Sequence, residues 1–250
     1  MLGERRSPRN LVRSALALAI AATLGCAGFR GVPHRGTTAL SFLRTIEESK
    51  DPNVRYAAYD SLSSPRCYDN DEQMVQAART MIARLQSGGE PVATRAVICR
   101  TLGMIRKPEA REAILAATND EDSLVRAEAC RALGRVGRSE DATILARVMT
   151  VDVAGECRIA AIESLGELKS GDRRINEYLV SGMENDDPAI RVASMNALRS
   201  ITGKDLGVDP IAWKKFVESM YPPARPANTD VVPDPPAATG DLRALPPGLR

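Results

Sequence analysis

The chain has 250 residues, of which 44% are hydrophobic and only 4% aromatic, a composition that supplies a core but argues against a β-sandwich or β-barrel. Its single histidine removes most metal-dependent and acid–base catalysis. The formal net charge is +2, but four arginines lie within the first 25 residues and the remainder is nearly neutral, so nucleic acid is not predicted as a partner.

The N-terminus has the pattern of an export signal. A basic leader, Met1–Arg13, precedes the short apolar run Ser14–Gly25, which ends at Cys26. As a helix this run would rise about 18 Å, which is less than the roughly 30 Å hydrocarbon core of a membrane. We therefore predict that residues 1–25 are a signal peptide. An uncleaved anchor is the alternative.

The end of this run, Thr23-Leu24-Gly25-Cys26, resembles the lipobox of bacterial lipoproteins. Gly25 and Cys26 fit that pattern, whereas it prefers Leu at the position of Thr23 and a small residue at that of Leu24. The resemblance implies that Cys26 carries a lipid and anchors the protein in a membrane of the bacterial cell envelope. Cleavage by an ordinary signal peptidase would instead make the protein secreted or periplasmic. Residues 26–37 are predicted to be a flexible linker.

An internal repeat follows. Five segments align on an arginine, with a leucine seven residues later in every copy and a glycine after that leucine in the middle three copies. Small or apolar residues recur at helical spacing around each arginine, and a second helical stretch precedes each segment. The aligned arginines are Arg55, Arg95, Arg126, Arg158 and Arg191. These features predict an all-α fold built from about five helical hairpins.

These segments resemble the HEAT repeat family in its short bacterial form, in which an acidic turn precedes Val/Ile-Arg, Ala-rich residues and Leu-Gly. The resemblance covers roughly residues 38–202 and implies an α-solenoid whose second helices line a concave face. Ser63 and Arg199 replace the glycine in the first and last copies. Residues 203–221 are predicted to form a capping turn and helix, and the proline-rich residues 222–250 a disordered tail.

The five repeat arginines are predicted to be structural. Acidic residues stand four positions before three of them, at Asp51, Asp122 and Asp187. Arginines that bridge such turn carboxylates and carbonyls along the stack would hold neighbouring repeats together.

Catalytic and metal-binding patterns are absent from the sequence. His34, the only histidine, falls in the predicted linker, and no phosphate-binding loop is present. We predict that the protein is not an enzyme and has no cofactor or metal. Four cysteines follow Cys26 without any CxxC spacing: Cys67, Cys99, Cys130 and Cys157. Buried thiols are expected for these four, while an oxidising compartment leaves a disulfide between Cys99 and Cys130 open.

A partner surface is predicted on the second helices. Positions one, five and nine residues after each arginine should point away from the core, onto the concave face. The candidate protein-binding residues there are Tyr56, Arg100, Arg131, Arg135, Glu163 and Glu167. In the alternative interpretation, Arg131 with Glu163 and Arg135 with Glu167 only form ion pairs between neighbouring repeats.

Together these patterns predict a non-catalytic scaffold, anchored in the cell envelope, that binds a protein partner through its concave face. The repeat resemblance also supplies the alternative of a ligand-binding or phycobilin-lyase-like protein, because short HEAT-like repeats occur in phycobilin lyases.

Overall fold

The computed structural model describes residues 38–222 of the chain. The predicted signal peptide, Cys26, the linker at residues 26–37 and the tail after residue 222 lie outside the described residues. Within residues 38–222 the fold contains eleven α-helices and no β-strand. The helices are α1 Ala39–Glu48, α2 Pro52–Ser61, α3 Asp71–Gln86, α4 Val92–Ile105, α5 Arg111–Ala117, α6 Ser123–Val136, α7 Ala142–Val151, α8 Gly155–Leu168, α9 Arg173–Gly182, α10 Pro188–Thr202 and α11 Pro210–Met220.

The first ten helices pair as five hairpins, each consisting of a first helix and a second helix that carries the repeat arginine. Short 3-10 turns, Pro65–Cys67, Pro108–Ala110 and Ser139–Asp141, lead from one hairpin into the next. The leucine seven residues after each arginine is fully buried in all five hairpins: Leu62, Leu102, Leu133, Leu165 and Leu198. The predicted all-α solenoid of five hairpins is therefore confirmed.

The helix starts are fixed by local sequence. Asp51 and Asp187 each accept a hydrogen bond from a backbone N–H two residues later, and a proline occupies the first turn of the helix that follows. Asp122 caps α6 in the same way. The acidic residues in these turns are therefore helix caps, which explains why acidic residues recur four positions before three of the arginines.

The second helices form the inner row of the solenoid. Along α4, α6, α8 and α10 each helix packs closely against the next, whereas the first helices make few contacts with one another. Small residues permit this approach: a Cβ added to Gly103 would lie 2.7 Å from the Cα of Ala132, and one added to Gly166 would lie 3.0 Å from the Cα of Ala197. A tight row beside a looser row curves the stack, so the second helices line the concave side, as the resemblance implied.

The last helix, α11, packs on α9 at the end of the stack. Trp213 is fully buried there, and its Nε1 donates a hydrogen bond to the carbonyl of Gly207 at 2.9 Å. The Tyr221 hydroxyl donates to the carbonyl of Gly171 at 2.7 Å and accepts from Asn176. The segment after the fifth hairpin thus covers core that would otherwise face water.

Candidate functional site

The repeat arginines connect neighbouring hairpins. The guanidinium of Arg126 on α6 donates through Nε and Nη2 to both carboxylate oxygens of Asp152, in the turn of the next hairpin, at 2.8 and 2.9 Å. The remaining Nη1 donates to the carbonyls of Asp120 and Glu121 in the turn of its own hairpin. One side chain therefore holds two consecutive turns. The same two-bond pairing occurs in three copies: Arg55–Glu90, Arg95–Asp120 and Arg126–Asp152.

The carboxylates in these pairs are not the ones expected from the sequence. Asp51, Asp122 and Asp187 cap helices, as described above, and the arginines bind acids five or six residues before the next repeat arginine. That position also forms the turn, since Asp120 and Asp152 each accept a backbone N–H from two residues later. The expectation was wrong because the nearer carboxylates accept hydrogen bonds from backbone N–H groups in the first turn of the following helix.

The last two arginines depart from this pattern. The position of Asp120 and Asp152 is taken by Asn185 in the fifth hairpin, whose Oδ1 likewise accepts from the backbone N–H of Asp187. By the pattern of the earlier repeats, the residue at position 185 should bind Arg158. The buried Nε of Arg158 has no hydrogen-bond partner among the described residues. Arg191, at the end of the stack, donates among residues 38–222 only to the carbonyls of Asn185 and Asp186.

The electrostatics of the pairs follow from their geometry. The hydrogen bond from Arg126 holds the pKa of Asp152 below its usual range, against the opposing effect of burial. The same hydrogen bond raises the pKa of Arg126. Both groups are therefore charged in neutral solution, and the pair is a permanent structural joint rather than an acid–base site.

The predicted concave face carries exposed and partly exposed charges. Arg100 donates to Asp60 on the preceding hairpin at 2.8 Å, and Arg131 donates to Glu128 of its own helix at 3.1 Å. Glu163 and Glu167 are exposed. Within the described residues neither Arg131 with Glu163 nor Arg135 with Glu167 forms an ion pair, so these two side chains of α8 remain available at the surface.

Large apolar side chains are also exposed on this face. Tyr56 on α2 is 36% exposed, Met104 on α4 is 49% exposed and Val192 on α10 is 53% exposed. Tyr56 and Val192 lie one residue after the repeat arginines of the first and fifth hairpins. The corresponding Ala96 and Ala127 of the second and third hairpins are buried, and Met104 lies nine residues after the second repeat arginine. A surface with this mixture suits contact with another protein.

Sequence reasoning missed a basic groove at the C-terminal ends of the second helices. The groove is an open depression of about 710 Å³ along α4, α6, α8 and α10. Its charged lining residues are Arg106, Arg135, Arg138, Lys169 and Glu167. Only Arg135 and Glu167 are among the binding residues predicted from the sequence. A detectable signal was nonetheless present, because one cation recurs 11 to 13 residues after every repeat arginine: Arg66, Arg106, Arg138, Lys169 and Lys204.

The four cysteines of the repeats are free and buried: Cys67, Cys99, Cys130 and Cys157. Burial raises the pKa of Cys99 and of Cys130 to about 12 and that of Cys157 to about 11. Buried thiols with such pKa values are inert packing groups rather than nucleophiles. The open possibility of a disulfide between Cys99 and Cys130 is not realised in this structure.

Two further kinds of site do not occur in the described part of the chain. Between residues 38 and 222, no three or more His, Cys, Asp or Glu side chains come together in a way that could hold a metal ion. None of the helices in this range combines the length and the apolar character that a membrane crossing requires.

Comparison with known proteins agrees with this fold. Residues 78–166 match the family model described as HEAT repeats. No match was found among curated proteins. Among solved structures, the complex of CpcE and CpcF of phycocyanin lyase from Nostoc sp. PCC7120 is similar with a TM-score of 0.55 at 18% identity, over 75% of this chain and 71% of that one.

An engineered protein is similar with a TM-score of 0.48 at 19% identity, over 65% of this chain and 78% of that one. At 18% identity the similarity to the phycocyanin lyase structure shows the fold and not the activity. The described part of the chain is thus an all-α solenoid, within which residues 78–166 match HEAT repeats.

Proposed function

We propose that the protein is a non-catalytic scaffold that binds a protein partner through the concave face of its second helices. The observation that carries this proposal is the unbroken inner row of second helices, whose exposed side presents charged and large apolar side chains together. Arg100, Arg131 and Arg135 form its basic centre, and Glu163 and Glu167 its acidic later part. Such a surface can make many contacts along an extended partner.

The Arg100–Asp60 and Arg131–Glu128 pairs are compatible with this role. Their side chains are between 17% and 53% exposed, and ion pairs at that level of exposure contribute little to folding. A partner that offers a better-placed carboxylate can therefore compete for these arginines at low cost. Removing them should affect binding more than stability.

The proposal includes anchoring in the cell envelope. Its support is the lipobox-like sequence that ends at Cys26, together with the apolar run before it. A lipid at Cys26 would leave only a short linker before α1, and the solenoid would stay close to the membrane surface. Its partner would then be another envelope protein.

Affinity capture after cross-linking in native cell envelopes tests partner binding. The test variant changes Arg100, Arg131 and Arg135 to Ala, and the control variant changes Arg44, Arg79 and Arg174 to Ala. The control arginines lie exposed on first helices, so both variants lose the same charge. We expect the test variant to lose an enriched envelope protein that the control retains. Equal capture by both variants would contradict the assignment of the face.

The anchor is tested separately by the Cys26→Ser variant. Lipidation predicts that the wild-type protein sediments with membranes and partitions into detergent, and that the variant is released from them. A wild-type protein that is recovered in the soluble periplasmic or secreted fraction would replace the anchored proposal with the secreted one.

A phycobilin-lyase-like function is the second candidate, and the fold similarity to the phycocyanin lyase structure is what favours it. It predicts that the protein, purified from cells or mixed with a bilin, acquires visible absorbance that remains through gel filtration. A colourless protein that still captures its partner would leave the scaffold as the function.

A further inference from the structure

The basic groove gives a more specific statement about the partner. Four cations line it, Arg106, Arg135, Arg138 and Lys169, against the single carboxylate of Glu167. Among the described residues, Arg106, Arg135 and Lys169 take part in no ion pair, and Arg138 makes only a 3.7 Å contact with Glu140. The groove therefore holds positive charge that ion pairs among the described residues leave largely unneutralised.

The backbone indicates that these cations are not incidental. Arg106 and Lys169, which end α4 and α8, adopt left-handed φ angles of 53° and 49°. Glycine takes such an angle without strain, and α10 ends in this way at Gly203 with a φ of 68°. In α4 and α8 a residue with a long cationic side chain thus adopts a backbone conformation that costs less free energy for glycine.

The repeat sets the spacing of the cations. Arg106, Arg138 and Lys169 each follow the second helix of successive hairpins, and neighbouring helices pack about 8–10 Å apart. A peptide in the extended polyproline II conformation has three residues per turn and advances about 3.1 Å per residue, so every third side chain lies on the same side and falls opposite one cation. Arg135 lies half-buried between them and can reach a group that enters the groove.

Two other polyanions fit this arrangement less well. A flat anionic membrane would touch the cations at the rim but could not reach Arg135 inside the groove. Single-stranded nucleic acid is normally held by aromatic side chains that stack on its bases, and none of the ten residues that line the groove is aromatic. A carboxylate-rich peptide needs neither a flat approach nor stacking.

We propose that this groove binds an extended acidic segment of the protein partner in the polyproline II conformation, with carboxylates at about every third residue against Arg106, Arg138 and Lys169. The inference rests on the proposed function, because it names the chemistry of the partner at one edge of the same concave face. At the groove wall the Ser139 hydroxyl can bond the peptide backbone, and the Ser200 hydroxyl, which donates to the carbonyl of Gly166 at 2.8 Å, can still accept a peptide N–H.

The test uses the full chain and a fluorescein-labelled peptide in which glutamate recurs at every third position. Fluorescence anisotropy should show binding that weakens as salt is added, and the matched peptide with glutamine at those positions should not bind. Changing Arg106, Arg138 and Lys169 together to Gln should weaken binding by about tenfold or more. Changing Arg44, Arg79 and Arg174 to Gln removes the same charge on the first helices and should leave affinity unchanged.

A variant that is expected to bind more tightly separates an effect on binding from an effect of misfolding, because misfolding cannot raise affinity. Glu167→Gln removes the only carboxylate of the groove and should tighten peptide binding by about twofold. The inference is overturned if the glutamate peptide does not bind, or if the test and control triple variants weaken it equally. Tighter, groove-dependent binding of phosphatidylglycerol vesicles or of single-stranded DNA would also overturn it.

The peptide experiment and the capture experiment fail independently. If the peptide does not bind while capture is still lost in the triple variant of Arg100, Arg131 and Arg135, the proposed function stands and the acidic-segment inference is wrong. If the peptide binds through the groove but no envelope protein is captured, the groove assignment stands and the scaffold proposal fails.

Discussion

Arg126 and Asp152 lie on consecutive hairpins, and their side chains meet in two parallel hydrogen bonds of 2.8 and 2.9 Å. Asp152 also accepts the backbone N–H of Ala154, so the same carboxylate shapes the turn that it joins to the previous hairpin. Turn geometry and repeat-to-repeat contact are therefore set by one residue. The stack acquires a fixed relation between neighbouring hairpins that apolar packing alone, being non-directional, would not supply.

This joint predicts how stability depends on pH. The folded pKa of Asp152 is lowered by its hydrogen bond from Arg126, whereas in the unfolded chain it returns to about 3.9. The stabilisation is therefore complete above the unfolded pKa and is lost as the pH falls through the folded pKa. We expect the temperature at which the wild type is half unfolded to fall as the pH is lowered below about 4.

Asp152→Asn is the matching variant. It should lower the free energy of unfolding by about 2 kcal/mol at pH 7 and should flatten the pH dependence below about pH 4. Urea unfolding at several pH values measures both effects. A variant whose stability falls with acid as steeply as that of the wild type would show that Asp152 does not contribute to the acid response.

Asn185→Asp should stabilise the protein. Arg158 has a buried Nε without a partner among the described residues, and the residue at the position that would bind it is Asn185 instead of an aspartate. An aspartate there can still accept the Asp187 N–H and can add a charged hydrogen bond to Arg158. We expect a gain of about 1 kcal/mol, measured as a higher thermal midpoint. Because Glu184, Asp186 and Asp187 are close in sequence and repel the new carboxylate, the midpoints are compared at moderate salt, which screens that repulsion.

The matched control changes Asn185 in the background that lacks the arginine. In Arg158→Gln, the Asn185→Asp substitution has no guanidinium to bind and should give no gain. A stabilisation of the same size in both backgrounds would mean that Arg158 is not the partner of the new carboxylate.

The fold could be predicted from the sequence because the repeat supplies the same evidence five times. The leucine of each copy and the arginine before it fix the second helices and their buried side, and both agree with the structure. The ion-pair partners were predicted less well. Asp122 lies nearer to Arg126 in sequence than Asp152 does, but proximity along the chain cannot show that a helix N-terminus already uses Asp122.

The recurring cation after each second helix was visible in the sequence, but its place in a groove depends on backbone conformation. The cations Arg106 and Lys169 look like ordinary residues at the end of a helix, where positive charge is common. Their left-handed φ angles and their convergence with Arg135 become visible only in three dimensions. The same holds for the Leu-Gly pattern. The sequence shows where each glycine lies, but it does not show which helix packs against that glycine.

Gly103→Ala should destabilise the protein, although alanine is the better helix former by about 1 kcal/mol. The added Cβ would lie 2.7 Å from the Cα of Ala132 on the next second helix, so the two helices must separate. We expect a loss of about 1–3 kcal/mol in urea unfolding. Gly89→Ala is the control, because no atom lies within 4 Å of the place that its new methyl group would take, and its effect should be close to zero.

The buried thiols predict slow chemical modification of the folded protein. In a Cys26→Ser background, Cys67, Cys99, Cys130 and Cys157 should react with Ellman's reagent at pH 8 only as the stack opens. Burial hides their sulfur atoms, and the pKa of Cys99 and Cys130 is about 12, so the thiolate is scarce as well. Cys67 retains 6% exposure while the other three have none, and it should therefore react first.

Urea is expected to make all four thiols react within the mixing time, and Cys67→Ala should remove the fastest phase in native buffer. Rapid reaction of the three fully buried thiols without denaturant would show that the second helices separate easily. In that case the arginine pairs would not be holding the hairpins together, and the concave face would be a mobile surface instead of a preformed one.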